Sequence, residues 1–387
     1  MRYLFLLLIL CSLPAGCLTT SLPPVTEDFG LEDDEKRLWQ RSKEEQKVLN
    51  NSGLVYRDNE IEDYLNKIAR NLQTLEILAR IPFKIVVIKN PYLNAFAFPN
   101  GVIYVHTGIL ARMDNEAQLA TLLAHEMTHC THRHALRAFR DRKNKAIDLA
   151  AVQENQIGCD GAVDLLALLG STGCMAAVTG YSRDFETEAD MVGIRLVVKA
   201  GYDPNEAPKL FEHLTKELAE EKLREPFFFG THPKLQDRTE NYRDFLDTRY
   251  QGKRTGTKDT EVFLTKLHKV ILDNAFLDLK AGRFSTAQRG AKKYLTIKPD
   301  DPRAYYLLGE ISRQRKKQND AVRAKVYYKK ALSIEPSYPD PLRAIGLLYY
   351  KEGKKTLAKR SFESYLSLSP HAPDKAYIMQ YLAQCNE

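Results

Sequence analysis

Two histidines four residues apart, with a glutamate directly after the first, constrain this 387-residue chain more than any other feature: His125-Glu126-Met127-Thr128-His129. On an α-helix, residues i and i+4 project from one face, close enough to hold a single Zn²⁺ between them. Glu126 lies beside that face, where it can take a proton from a water that the metal activates. The pattern works only if the surrounding chain is helical and a second element supplies a further ligand. The run Asp114 to Ala124 meets the first demand. Asp114 or Asn115 is an able N-cap, and Leu119, Leu122, Leu123 and Met127 form an apolar stripe at helical spacing. The bland alternative is a pair of satisfied core histidines on an amphipathic helix.

A tetrahedral zinc needs at least one more protein ligand, and hydrolysis needs an open position for water. Downstream, Phe185-Glu186-Thr187-Glu188-Ala189-Asp190-Met191 reads as helix. Glu186 and Asp190 are four apart and share a face, so Glu186 can ligate while Asp190 accepts a hydrogen bond from a ligand imidazole and fixes its tautomer. Glu188 points elsewhere by helical phase. His132 and His134 read as continuing the helix of His129, off the ligand phase and structural. Cys130 points roughly 100° away from its neighbour on such a helix.

HExxH followed by ExxAD resembles the gluzincin metallopeptidases of the CAAX prenyl protease and HtpX type. Three further segments carry the likeness. Asn94 to Val105 looks like the strand pair ahead of that family's active-site helix, and Pro99-Asn100-Gly101 marks a hairpin in its own right. Gly230-Thr231-His232-Pro233, followed by Arg238, matches the family's HP-x4-R element. The match covers about Asp58 to Arg249. The resemblance implies that His125, His129 and Glu186 hold one zinc ion per chain and that Glu126 is the general base. It implies that Asp190 supports a ligand, that Arg238 supports the site electrostatically, and that His232 stabilises the oxyanion or occupies the open metal position at rest. Positioned donors meeting the charge of a tetrahedral intermediate would lower the barrier, which gives the last two roles a physical rationale. The aromatic run Phe227-Phe228-Phe229 reads as core packing.

The ends and the composition bound the setting. Met1-Arg2-Tyr3 and the apolar run Leu4 to Leu10 read as an export signal, too short to span a bilayer. Ala15-Gly16-Cys17 resembles the end of a bacterial lipobox, with Pro14 where a Leu-like residue is usual. A lipid on Cys17 would tether a periplasmic enzyme, and the absence of an acidic residue after it favours the outer membrane. Cys159 and Cys174 are the pair closest in sequence for a bridge, although free thiols fit equally well. Residues 145–180 read as helices packing beside the site, their apolar run interrupted by Asp164, Gly170 and Gly173. The net charge of +7 comes without a dense basic block interleaved with aromatics, so no nucleic-acid partner is expected.

Beyond Gln251 the sequence repeats. Aligning on Pro336 and Pro370, 34 apart, sets Gly346, Tyr349, Ala358 and Phe362 at the small and large positions of a tetratricopeptide repeat. The preceding unit has Gly309, Ala324, Tyr328 and Ala331, with extra residues near Lys316 to Asp320. An earlier unit offers Ala275, Ala287, Ala291, Tyr294 and Pro299, and a last helix is expected near 376–384. Stacked helix pairs present a concave face to peptides or partner proteins.

The expected fold class is α+β: a signal at 1–16, a linker and helix at 17–56, and a mostly helical zincin-type metallopeptidase domain with a small β-sheet at 57–250. A linker at 251–260 and an all-α tetratricopeptide-repeat solenoid at 261–387 complete it. Within the domain, 60–78 is expected as one helix and 83–87 as a strand. The combination resembles the periplasmic β-barrel assembly-enhancing proteases. That resemblance implies unfolded or misfolded envelope proteins as substrates and the outer-membrane assembly machinery as a partner of the repeats. A chaperone or scaffold in which the repeats dominate, and a dedicated processing peptidase, are the alternatives.

Overall fold

The structure is a computed structural model that describes residues 22–149, 181–221, 235–250 and 255–386. The export signal with Cys17, the Cys159 and Cys174 pair, the apolar run after Ala162, Phe227 to Phe229 and His232 lie outside the described residues. Among the described ones helices dominate, with a single three-stranded sheet.

The chain opens with α1 (Asp33–Asn51), α2 (Asn59–Asn71) and α3 (Leu75–Arg80). One helix was expected from Glu60 to Leu78; there are two. Asp58 caps α2 by accepting from the backbone of Glu60 and Ile61. The Thr74 hydroxyl accepts from Ile77 N–H and starts α3 afresh, a local bond that competes with helix continuation. The stripe Ile61, Tyr64, Leu65, Ile68 and Leu72 is buried, and the restart leaves Leu75 81% exposed.

Strands β1 (Lys84–Ile88), β2 (Ala95–Ala97) and β3 (Val102–His106) lie in the order β1-β3-β2. The first begins one residue later than its sequence suggests. β1 runs parallel to β3, and β2 pairs antiparallel with β3 through the hairpin at Pro99-Asn100-Gly101. Gly101 has φ +90°, and a Cβ there would come within 2.5 Å of the Ile81 side chain, so the turn needs glycine. Strand alternation divides the side chains cleanly. Ile85, Val87, Ala95, Ala97, Ile103 and Val105 enter the main core, while Val86, Ile88, Phe96, Phe98 and Tyr104 meet Leu49 of α1 on the other face. Both faces are therefore covered.

After α4 (Thr107–Arg112) comes α5 (Glu116–Thr131), in which every residue is buried. Asn115 is its cap, accepting from Gln118 N–H at 3.0 Å. Packed on α5 are α7 (Arg183–Lys199) and α8 (Glu206–Glu221), joined by α9 (Leu235–Tyr250). Between them in sequence, α6 (His134–Leu149) is a separate helix. His134 thus does not continue α5, contrary to expectation. Arg133 adopts a left-handed backbone, φ 56°, and its guanidinium grips Glu35 of α1 through two hydrogen bonds of 3.1 and 2.6 Å.

The repeats are three helix pairs and a closing helix. They comprise α10 (Thr260–Lys280) with α11 (Phe284–Ile297), α12 (Pro302–Arg315) with α13 (Asp320–Ile334), α14 (Pro339–Lys351) with α15 (Lys355–Leu368), and α16 (Lys375–Asn386). Small residues sit under large ones, as the repeat pattern requires. A Cβ on Gly309 would fall 2.3 Å from the Tyr328 ring, and one on Gly346 2.6 Å from the Phe362 ring. The middle unit accommodates its extra length at 316–319, where Lys316 and Asn319 both take positive φ.

The expected linker is no loose tether where it is described. Gly256 lies directly against the Tyr202 backbone, and Thr257 exchanges backbone hydrogen bonds with Gly201 and Asp203, each 2.9 Å. Lys258 O accepts from Glu116 N–H at 2.9 Å, at the very start of α5. Phe263, Leu267 and Val270 of α10 belong to the same apolar core as α5, while Ile271, Leu272 and Ala275 enter the next. No helix among the described residues is long and apolar enough to cross a membrane.

Candidate metal centre

Helix α5 carries His125 and His129 one turn apart, and their rings turn toward α7. A glycine makes the approach possible: a Cβ on Gly193 would lie 3.1 Å from His125 N and 3.3 Å from Ala124 C. Counting back along the same face of α7 gives Asp190 and Glu186. Both carboxylates consequently face the histidines, and Glu186 is fully buried.

The three donor groups form a closed triangle. His125 Nε2 and His129 Nε2 are 3.1 Å apart, and each is 3.4 Å from an oxygen of Glu186. A tetrahedral zinc with bonds of about 2.0–2.1 Å separates its ligands by about 3.3–3.4 Å, so the triangle has the right size. Charge agrees as well. Glu126, Glu186 and Asp190 are all buried, Arg238 pairs with Asp190, and a divalent cation would offset the negative charge of the other carboxylates. Among the described residues this is the one cluster of His, Cys, Asp and Glu with ligating atoms so close. The residues present fit a zinc ion.

Orientation comes from behind the ligands. His125 Nδ1 is 2.9 Å from Asp190 Oδ1, which directs Nε2 at the triangle. Asp190 is itself held by Arg238, Nε to Oδ2 at 3.1 Å and Nη2 to Oδ1 at 2.5 Å, and by the Tyr242 hydroxyl at 2.7 Å. Phe211 stacks on the Tyr242 ring and lies 4.2 Å beneath the guanidinium. Burial works against ionised Asp190, but Arg238 and His125 outweigh it and hold the carboxyl below its usual range. Burial and the Arg238 charge oppose a proton on His125; Asp190 and Glu186 outweigh them and raise it to about 9 in the absence of metal.

The structure brings together His125, His129, Glu186, Asp190 and Arg238, with Glu126 buried on α5 beside its ligand neighbour. His232 lies outside the described residues. Cys130 turns away from the triangle, donating its thiol hydrogen to Phe98 O at 3.3 Å, and burial pushes its thiol up, which removes it as a thiolate ligand. Two residues escaped sequence reasoning, and His134, expected only as structural, reaches a residue of the triangle. Tyr242 follows Arg238 by one turn on α9, a spacing that could have flagged it. Tyr181 stacks on the His129 ring at 4.1 Å, and His134 reaches His129 Nδ1 at 2.8 Å. Neither of those has a periodic signal, because the chain breaks between them and the ligand helix.

Comparison with known proteins agrees with this geometry. Residues 56–245 match the family described as Peptidase family M48, and 302–338 and 344–371 match the Tetratricopeptide repeat. The chain is 31% identical over 207 residues to the Beta-barrel assembly-enhancing protease of Escherichia coli (strain K12), covering 51% of this chain and 41% of that one. The protein of the same name from Yersinia pestis is 27% identical over 203 residues, 49% of this chain and 40% of its own. Mitochondrial metalloendopeptidase OMA1 of Schizosaccharomyces pombe is 30% identical over 186 residues, 47% and 52% respectively. The match thus spans about two fifths of the bacterial relatives' length and about half of the fungal one's. Residues 56–245 belong to peptidase family M48, and the chain carries tetratricopeptide repeats behind them.

Proposed function

We propose that this chain is a zinc-dependent endopeptidase of a bacterial cell envelope, degrading or processing misfolded or stalled outer-membrane proteins that its repeats help to recruit. The observation that carries the chemistry is the buried triangle of His125, His129 and Glu186, with Glu126 on the same helix. The envelope setting leans on the bacterial relatives' name and on the leader-like residues 1–16 with Cys17 as a lipid attachment point.

In this reading a bound zinc supplies Lewis-acid polarisation of the scissile carbonyl and acidifies water. Glu126 takes the proton of the attacking water and delivers it to the leaving amine. Asp190 keeps the proton of His125 on Nδ1, while Arg238 and Tyr242 hold Asp190 in place. His232 stabilises the oxyanion. The low-dielectric surroundings of the buried Glu126, Asp190 and Arg238 strengthen their interactions.

The test uses the full chain, its metal content measured after dialysis, and an outer-membrane β-barrel protein unfolded in urea as substrate. Zinc near one per chain and chelator-sensitive fragments are expected. Glu126→Gln should retain the metal and lose about 10²–10⁴-fold in rate. A zinc-loaded chain that prevents the substrate's aggregation yet never cuts it would replace the peptidase with a chaperone.

A further inference from the structure

The ring of His134 lies between His129 and Glu188 and is fully buried. Its Nδ1 is 2.8 Å from His129 Nδ1, and its Nε2 is 3.1 Å from Glu188 Oε2. The ring lies flat on Phe185, centroids 4.7 Å apart and planes 9° apart, so its orientation is fixed. Arg137 Nη1 also reaches Glu188 Oε2 at 2.8 Å. On a continuous helix, residue 134 would sit about 140° round the axis from residue 129. The left-handed turn at Arg133 is what carries it across.

The proton positions follow from valence. Paired with the Arg137 guanidinium, which only donates, Glu188 Oε2 is an acceptor. An ionised carboxylate only accepts, so Nε2 of His134 carries the hydrogen. With its one hydrogen on Nε2, the neutral ring keeps a lone pair on Nδ1. Its Nδ1 is then an acceptor. Two acceptors or two donors at 2.8 Å would repel, so His129 carries its hydrogen on Nδ1 and keeps the lone pair on Nε2.

We propose that His134, anchored by Glu188, is a positioning residue that holds the His129 proton on Nδ1 and thereby aims Nε2 at the metal. It serves His129 as Asp190 serves His125, but with a neutral imidazole between ligand and carboxylate. The proposal rests on the metallopeptidase reading above.

The test compares full-length parent, His134→Phe, His134→Asn and Glu188→Gln. Readouts are thermal melting, zinc affinity by competition with a chelator, and proton NMR of the cobalt(II)-loaded proteins. The parent should show two exchangeable, metal-shifted imidazole N–H signals, one per ligand histidine. His134→Phe keeps the stacking but offers no acceptor; it should lose about 10–100-fold in zinc affinity and the His129 signal. His134→Asn places an amide oxygen near the former Nδ1 and should restore most of both. Glu188→Gln should show a smaller loss in the same direction. A folded His134→Phe that binds zinc within about threefold of the parent and keeps both signals overturns the proposal, since lost outer hydrogen bonds ordinarily cost more. If His134→Phe does not fold, the proposal falls should His134→Asn fail to keep the signal or Glu188→Gln leave affinity untouched. A parent that takes up no zinc or cobalt overturns the metallopeptidase reading, which is a different failure.

Discussion

Asp190 Oδ1 faces three donors at once: His125 Nδ1, Arg238 Nη2 and the Tyr242 hydroxyl. That crowding makes the three groups unequal in what their loss should do. Tyr242→Phe removes one neutral donor and should lower stability by about 1 kcal/mol, read from denaturant unfolding, with zinc still bound. Arg238→Met strands a buried carboxylate; it should cost about 3–5 kcal/mol, and zinc affinity should fall with it. Glu206 answers to pH instead. Its carboxylate accepts from Asn115, the cap of α5, and from Gln118. Burial opposes its charge, but hydrogen bonds from Lys209, Lys258, Asn115 and Gln118 hold it down to about 2. The folded value lies below the ordinary 4.5, so its contribution is complete above 4.5 and is lost as pH falls toward 2. Melting curves across that window should therefore flatten in Glu206→Gln. At this scale the sequence picked out the residues that the structure brings together, but it hid Tyr181 and the reach of His134 to His129, since one-dimensional spacing records neighbours on one helix and not rings brought over by a turn.

Elements meet where backbones can approach, and α5 and α7 approach at Gly193. Gly193→Val should push α7 off α5, widen the gap between Glu186 and the histidines, and destabilise by about 1–3 kcal/mol through overpacking. Zinc titration should show the weaker site even where circular dichroism reports a folded chain. The periodic parts of the fold were legible beforehand. The stripe of α2, the hairpin at Gly101 and the glycine-under-aromatic register of Gly309 and Gly346 all follow from period and turn chemistry. What misled were interruptions. Thr74 restarts a helix with one hydroxyl bond, and Arg133 ends another by bonding to Glu35, a residue nearly a hundred positions away. A partner so distant in sequence leaves no local trace.

Across the whole molecule, α10 is shared property: Phe263, Leu267 and Val270 complete the core around α5. Leu267→Asp should therefore lower the melting temperature of the peptidase part as much as that of the first repeat, and calorimetry of the parent should show them unfolding together. Residues 57–250 expressed alone should expose this apolar seat and bind a hydrophobic dye that the full chain does not. The sequence marked 251–260 as a boundary because it is polar and glycine-bearing, but composition cannot reveal that Lys258 O closes the first turn of α5. Traction on the repeats by a captured polypeptide would load that carbonyl. On the proposed function, the grip and the blade would be mechanically in series.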